Sequence, residues 1–540
     1  MKRRALLLTG ACGYLAALLA GFLLTRIGTI TWDSAAHRDH MLWLIGRWRG
    51  QDRGLPYEEL QWAGPLWEYV LAVFEAAFRF LRDPYCVRHS ATFTLLPVTA
   101  FSVFLLLRKA GETRATAALA VALLLGNVRL VGHSILNVKD FPLACLYAVA
   151  ALWMWTVLHE EGTAGLLSRP RRLLAVAVVS VLPYLMQPPV LSHWLLLSAL
   201  CAFAAIREAS GLAPWQRWRG VVVPVVTFPL LCWAVWPPLW DRGPAGLVAS
   251  FSLFSKFPWR GTVRVLGTNY ASNELPRWYG PFWIALSWEP VAFVVLAAGL
   301  VAFAYVVTRT LVGTRTLATS VLTDSLPVWV ALFAAGPWAA VVALRPVLYD
   351  EDRHLLFAMP LLAVAAALGL RRLGERWKAG IAAFALVASL ASTVAWGKYS
   401  YVYRSPLLRT VPEDFKGDYW GVSSGAMAQA LYDHVPDGAW VVVAALPEPV
   451  SLEVERRETS RLVRAEPPKR FRLEHKGPPS GEFYVLATNR NGTNHRILED
   501  IGAGRARELW RDPVPGADPA AVLAFYTEPC PYCQLRVRLL

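Results

Sequence analysis

The chain has 540 residues, of which 55% are hydrophobic and only 17% charged, against about a quarter charged in an average globular protein. With a mean hydropathy of +0.38, this excludes a soluble multidomain enzyme and points to a polytopic membrane protein. Basic residues outnumber acidic ones, 54 to 39, but they cluster between apolar runs, where they set topology and meet anionic lipid, so no nucleic-acid partner is expected.

A bilayer core of about 30 Å takes roughly 20 apolar residues of helix. The first run, Ala5 to Thr25, follows Lys2, Arg3 and Arg4 and has no convincing small-residue cleavage site. It reads as an uncleaved first helix with the amino terminus in the cytoplasm. Further spans are expected at Ala91–Leu107, Ala115–Val131, Phe141–Leu158, Leu173–Met186, Val190–Ile206, Val221–Trp236, Pro281–Val307, Leu326–Leu344, Leu355–Leu370 and Ala379–Trp396, about eleven in all. The segment from Gly64 to Phe80, interrupted by Glu68, Glu75 and Arg79, reads as an amphipathic helix in the outer interface, with Trp62, Trp67 and Tyr69 at headgroup depth.

Charge supports this alternation, because cytoplasmic loops carry the excess of Lys and Arg. The inner loops hold Arg108, Lys109 and Arg114; Arg169, Arg171 and Arg172; Arg207, Arg217 and Arg219; Arg309 and Arg315; and Arg371, Arg372, Arg376 and Lys378. The outer loops mix acids, bases, His and Trp, which puts the chemistry on the outer face. Residues 1–396 are therefore expected to form a transmembrane domain with outer loops at 31–90, 132–140, 237–280 and 345–354. Residues 397–540 are expected to form a small α/β domain outside the membrane, with strands at Ala439–Leu446 and Glu482–Ala487, a helix at Ser423–His434, and loops at Pro467, Pro468, Pro478 and Pro479. The fold class is an all-α membrane bundle with that appended domain, in the cytoplasmic (inner) membrane.

Four outer clusters are candidates for chemistry. Asp33 follows the first span, with His37, Arg38, Asp39 and His40 close behind. An isolated Asp is usually a solvated loop start, but a partly desolvated carboxylate at the membrane surface suits a general base. His133, Asn137, Lys139 and Asp140 open a later span, where Lys139 suits a phosphate and Asp140 a substrate hydroxyl or a cation; the plain alternative is a structural ion pair. Asp350, Glu351, Asp352, Arg353 and His354 form the third cluster. Arg353 suits a phosphate clamp, and Asp350 and Asp352 make a D-x-D pattern able to hold Mg²⁺ or Mn²⁺, although such runs are commonly solvated turns. The fourth runs from Ser255 to Arg260 and from Asn273 to Tyr279; its Glu274, Arg277, Trp278 and Tyr279 offer stacking surfaces and a phosphate contact, or simply the aromatic belt of any membrane protein.

Two patterns read as decoys. Cys530 and Cys533 resemble a glutaredoxin pair, but too little chain follows for that fold, so a local disulfide is the simpler reading; Asn491-Gly492-Thr493 fits a glycosylation acceptor by chance. Among the remaining cysteines, Cys12, Cys145, Cys201 and Cys232 lie in apolar runs as small hydrophobes.

An Asp after the first span, a second acid at a later span entrance and an outer terminal domain resemble the integral-membrane glycosyltransferases of the C fold. More narrowly, His133-Ser134 with Asn137-Val138-Lys139-Asp140-Phe141-Pro142 is similar to the H-S-x-x-N-P-K-D-x-P stretch of bacterial members related to protein O-mannosyltransferases and aminoarabinose transferases, with Val138 where Pro is usual. Glu274–Tyr279, Tyr349-Asp350 with Arg353-His354, and Asp418-Tyr419-Trp420-Gly421 are similar to further stretches of the group. The resemblance implies sugar transfer from a polyprenyl-phosphate carrier to an acceptor on the outer face. Asp33 would be the base of an inverting displacement, Asp140 the second acid, and Lys139, Arg353 and His354 the donor-phosphate ligands. His37, His133, Asn137, Glu274, Arg277, Trp278 and Tyr279 would contact substrate. The need for Mg²⁺ or Mn²⁺, the sugar and the acceptor stay open. A transporter or flippase would place charges near the midplane and break matching helices in two halves; Pro183, Pro188, Pro189, Pro224 and Pro229 have no such match. An adaptor whose loop acids are structural is the third reading.

Overall fold

In a computed structural model of the chain, the described residues run from Tyr14 to Tyr526. Residues 24–29, 52–53, 208–211, 314–323, 408–416, 444–446, 464–471, 475–482, 489–494, 515–516 and single positions elsewhere are excepted. Most of the expected first span, the four loop prolines from Pro467 to Pro479, Asn491 and the Cys530–Cys533 pair lie outside the described residues.

Six described helices are long and apolar enough to cross a membrane: Pro84–Lys109, Asp140–Ser168, Pro214–Val235, Pro290–Gly313, Leu326–Ala343 and Glu375–Val402. Shorter apolar helices occupy Arg114–Gly126, Ser192–Ile206, Pro244–Phe254 and Arg353–Gly369. Asp140–Ser168 is the central pillar, and Met359–Gly369 is buried along nearly its whole length. Pro290–Gly313 and Glu375–Val402 instead show most of their surface, with Val301, Tyr305 and Val394 more than 60% exposed. Such contiguous apolar faces suit lipid rather than water. Glycines set the closest approach: a Cβ on Gly369 would lie 2.0 Å from the Gly299 carbonyl oxygen, so only hydrogen lets these two helices meet.

Several expected boundaries move. The run Ala115–Val131 is two helices, Arg114–Gly126 and Val128–Leu136. Asn127 takes an extended conformation between them, and its side chain caps the amide of Leu130 at 2.9 Å. Pro281–Val307 likewise divides into Tyr279–Ser287 and Pro290–Gly313, because Pro290 starts a helix rather than continuing one. The helix Leu66–Ala77 forms as expected, but Glu68 points inward and is 3% exposed, and Trp62 is buried. The loop after Pro244–Ser255 carries a hairpin, β1 (Thr262–Val265) and β2 (Thr268–Ala271), closed by Leu266 and Gly267, both at positive φ.

The C-terminal part is a mixed sheet built from β3 (Trp440–Val443), β4 (Arg472–Glu474), β5 (Phe483–Thr488), β6 (Arg507–Val514) and β7 (Ala517–Tyr526), in the order β4-β3-β5-β7-β6. Helix Ser424–His434 covers one face through Met427 and Leu431, packed near Val441, Val443 and Leu486. Helix His495–Gly502 covers the other through Ile497. Strands β3 and β5 and the first helix match the sequence expectation; β4, β6 and β7 carry no such expectation. The C-terminal part contacts the helical part near the segment that precedes Asp33. Glu453 accepts the amide of Ile30 at 2.6 Å, Ser424 donates to the Ile30 carbonyl at 3.2 Å, and Arg456 pairs with Asp83 at 3.0 Å.

Candidate active site

Two helix starts and one short 3₁₀ turn make the site. Thr31, extended, precedes the helix Trp32–Trp48 and puts Asp33 in its first turn. Asp140 opens Asp140–Ser168. Both carboxylates therefore lie where helix dipoles favour negative charge. Arg353 begins the 3₁₀ segment Arg353–Ala358 and brings these distant acids together. Its Nη1 lies 3.0 Å from Asp33 Oδ2 and 3.4 Å from Asp350 Oδ2, and its Nε 4.0 Å from Asp140 Oδ2. Tyr349 and Trp420 flank the guanidinium, with ring centroids 4.8 and 5.5 Å from Cζ. Arg353 is buried, whereas the Asp33 side chain keeps 21% exposure, so Asp33 is the acid open to an arriving molecule.

The second cluster is largely scaffold. Asn137 Oδ1 accepts the amides of Lys139 (3.0 Å) and Asp140 (2.7 Å), while its Nδ2 donates to Asp140 Oδ2 (3.2 Å) and to His133 Nδ1 (3.1 Å). Asn137 and His133, expected to contact substrate, instead form the turn that aims Asp140. Gly132 is needed there, since a Cβ would lie 2.2 Å from the Tyr401 amide nitrogen. Gln187, at the helix break before Pro188, donates to Asp140 Oδ1 at 3.2 Å. The Lys139 ammonium sits 5.9 Å from the Phe254 ring centroid, close enough to Asp140 for its charge to favour the ionised carboxylate.

The acidic turn is buried, not solvated. Asp352 Oδ1 accepts from Arg129 Nε at 2.7 Å and its Oδ2 from Ser287 at 2.8 Å. Glu351 also pairs with Arg129, itself fully buried over the Trp283 ring. Burial raises the Glu351 carboxyl despite Arg129 beside it. Asp350 and Glu351 adopt left-handed backbone at φ 55° and 66°, and the Tyr279 hydroxyl ties down the Glu351 carbonyl at 2.7 Å. The D-x-D pattern does not fit a metal, because Arg129 and Ser287 take Asp352 while Arg353 takes Asp350. Nor do Asp33 and Asp140 fit one between them, since the guanidinium is already their shared cation.

Other expected site residues disperse. His354 Nε2 accepts from Arg353 Nε at 3.3 Å, and its buried Nδ1 has no hydrogen-bond partner among the described residues. His37 turns from Asp33 toward Glu68, at 2.9 Å. Arg277 lines a separate groove of about 30 Å³ with Leu275, Pro276, Trp338 and Arg345. Glu274 and Trp278 are exposed, and Tyr279 is buried.

No protein-family model and no curated protein matches the chain. Solved structures align with it at low identity, among them these two. One is ArnT from Cupriavidus metallidurans bound to undecaprenyl phosphate, at 13% identity and a TM-score of 0.47, covering 96% of this chain and 98% of the other. The second is the apo oligosaccharyltransferase of Archaeoglobus fulgidus, at 12% identity and a TM-score of 0.42, covering 82% of this chain and 63% of the other.

Proposed function

We propose that this chain is a membrane glycosyltransferase that moves a sugar from a polyprenyl-phosphate carrier to an acceptor hydroxyl on the outer face of the cytoplasmic membrane. The observation that carries the reading is the meeting of Asp33, Asp140 and Arg353, with Asp33 the most exposed of them. Asp33 Oδ2 is oriented by Arg353, and no partner of Oδ1 is seen among the described residues. That oxygen takes the acceptor proton as the hydroxyl attacks the anomeric carbon from the face opposite the phosphate. The carbon–oxygen bond to the phosphate breaks, and the electron pair leaves with it. Asp140, fixed by Asn137 and Gln187, positions the acceptor. Lys139, Arg353 and His354 meet the charge growing on the departing phosphate. A lipid-linked donor stays in the bilayer, so a site at the ends of the spans receives it sideways.

Purified protein in lipid nanodiscs, given radiolabelled polyprenyl-phosphate sugars and membrane extract as acceptor, should yield a labelled product. Asp33→Asn should lower that yield at least about 100-fold, the scale of general-base catalysis, with abundance unchanged. Transfer by Asp33→Asn at the wild-type rate would overturn the assignment.

A further inference from the structure

We propose that His37, His40 and Glu68 form a binding site for one divalent transition-metal ion of the zinc class, one helical turn below Asp33 and separate from the Arg353 cluster. One potential ligand atom from each residue lies within 4.8 Å of the other two, and all three side chains are buried. His37 and His40 stand three residues apart on one face of Trp32–Trp48, and Glu68 comes from the facing helix Leu66–Ala77.

His40 is the deciding residue. Its side chain is fully buried, and neither ring nitrogen has a hydrogen-bond partner among the described residues. A buried imidazole left this way carries an uncompensated desolvation cost, which a metal bond removes. His37 Nδ1 and Glu68 Oε1 are hydrogen-bonded at 2.9 Å, and an ion about 2.0–2.2 Å from each would replace that bond by opening the pair by about half an ångström.

Glu68 is aimed by a second layer. Its Oε2 accepts from Arg88 Nη2 at 2.7 Å, leaving Oε1 toward the histidines. Glu75 balances the Arg88 charge at 3.2 Å. A carboxylate ligand held by an outer hydrogen bond is the usual support of such a centre. A cavity of about 10 Å³ touches two of the three residues, His37 and Glu68, on the side facing Lys139 and Gln187, and has room for one water-sized ligand there. Two imidazoles and one carboxylate favour Zn²⁺ or Co²⁺ over Mg²⁺ or Ca²⁺.

The test uses full-length protein in detergent, stripped with a chelator and then loaded with Co²⁺ or Zn²⁺ alone. Wild type should take up one equivalent of Zn²⁺ by mass spectrometry, show visible Co²⁺ absorption bands, and melt at a higher temperature with Zn²⁺ than without. His40→Ala and Glu68→Gln should each weaken uptake at least about tenfold, the lower bound set by losing even an outer-shell partner. Asp39→Asn, on the exposed side of the same helix, should bind as wild type. Binding by His40→Ala equal to wild type, or no uptake by folded wild type, would overturn the site. Because these readouts measure metal and not sugar transfer, their failure leaves the reaction proposed above untouched.

Discussion

His133 shows how a residue that looks reactive can serve as a brace. Burial, with Arg129 acting in the same direction against Asp352, pushes its imidazole down to about 4. The neutral ring then accepts at Nδ1 from Asn137, which in turn fixes Asp140. The unfolded imidazole titrates near pH 6.5. Between pH 6.5 and 4 the unfolded chain therefore binds a proton that the folded one refuses, and stability falls as the medium is acidified. Thermal unfolding followed from pH 7 to 4.5 should show a falling midpoint in wild type and a shallower fall in His133→Gln. Asn137→Ala removes the acceptor for two amides and should cost about 1–2 kcal/mol at neutral pH, in the range of a lost helix cap.

At the scale of elements, Arg129 on Val128–Leu136 fastens the turn from Asp350 to Asp352, and so the start of the segment that presents Arg353. Arg129→Met would leave two buried carboxylates without their cation. The expected loss is about 3–5 kcal/mol, read as a lower melting temperature and lower yield of folded protein. The same elements mark what the sequence can tell. Asp33, Asp140 and Arg353 were legible because charges at span ends are expensive and therefore purposeful. The cage around Arg353 was half legible: Tyr349 and Trp420 sat in flagged stretches, but their shared target is a tertiary fact. Gln187 carried no signal beyond the neighbouring Pro188. Asn127 lay inside an apolar run, so hydropathy read one span where its cap makes two helices. Periodicity placed Glu68 on a helix but could not tell which face looks inward, and that missed the Glu68–Arg88–His37 cluster.

Across the whole molecule, the segment before Asp33 is held by the C-terminal part of the chain. Glu453 and Ser424 hold both backbone groups of Ile30, three residues before Asp33. Removing one such bond should shift Asp33 rather than unfold the spans. Glu453→Ala is therefore expected to lower kcat of sugar transfer about tenfold, the rate equivalent of roughly 1.4 kcal/mol, with little change in KM for the donor. Glu453→Gln, which keeps an acceptor oxygen, should recover most of that loss; equal defects in both variants would mean that the charge, not the bond, matters.

That grip on Ile30 also sets a clock on manufacture. Its two ends are separated by 423 positions, and a ribosome adding about 5–20 residues per second needs roughly 20–85 s to travel between them. Throughout that interval the nascent polypeptide is threading into the bilayer with its leading acid unmoored. Until the residues around Glu453 are translated and folded that contact cannot form, and a chain that terminates before them never makes it.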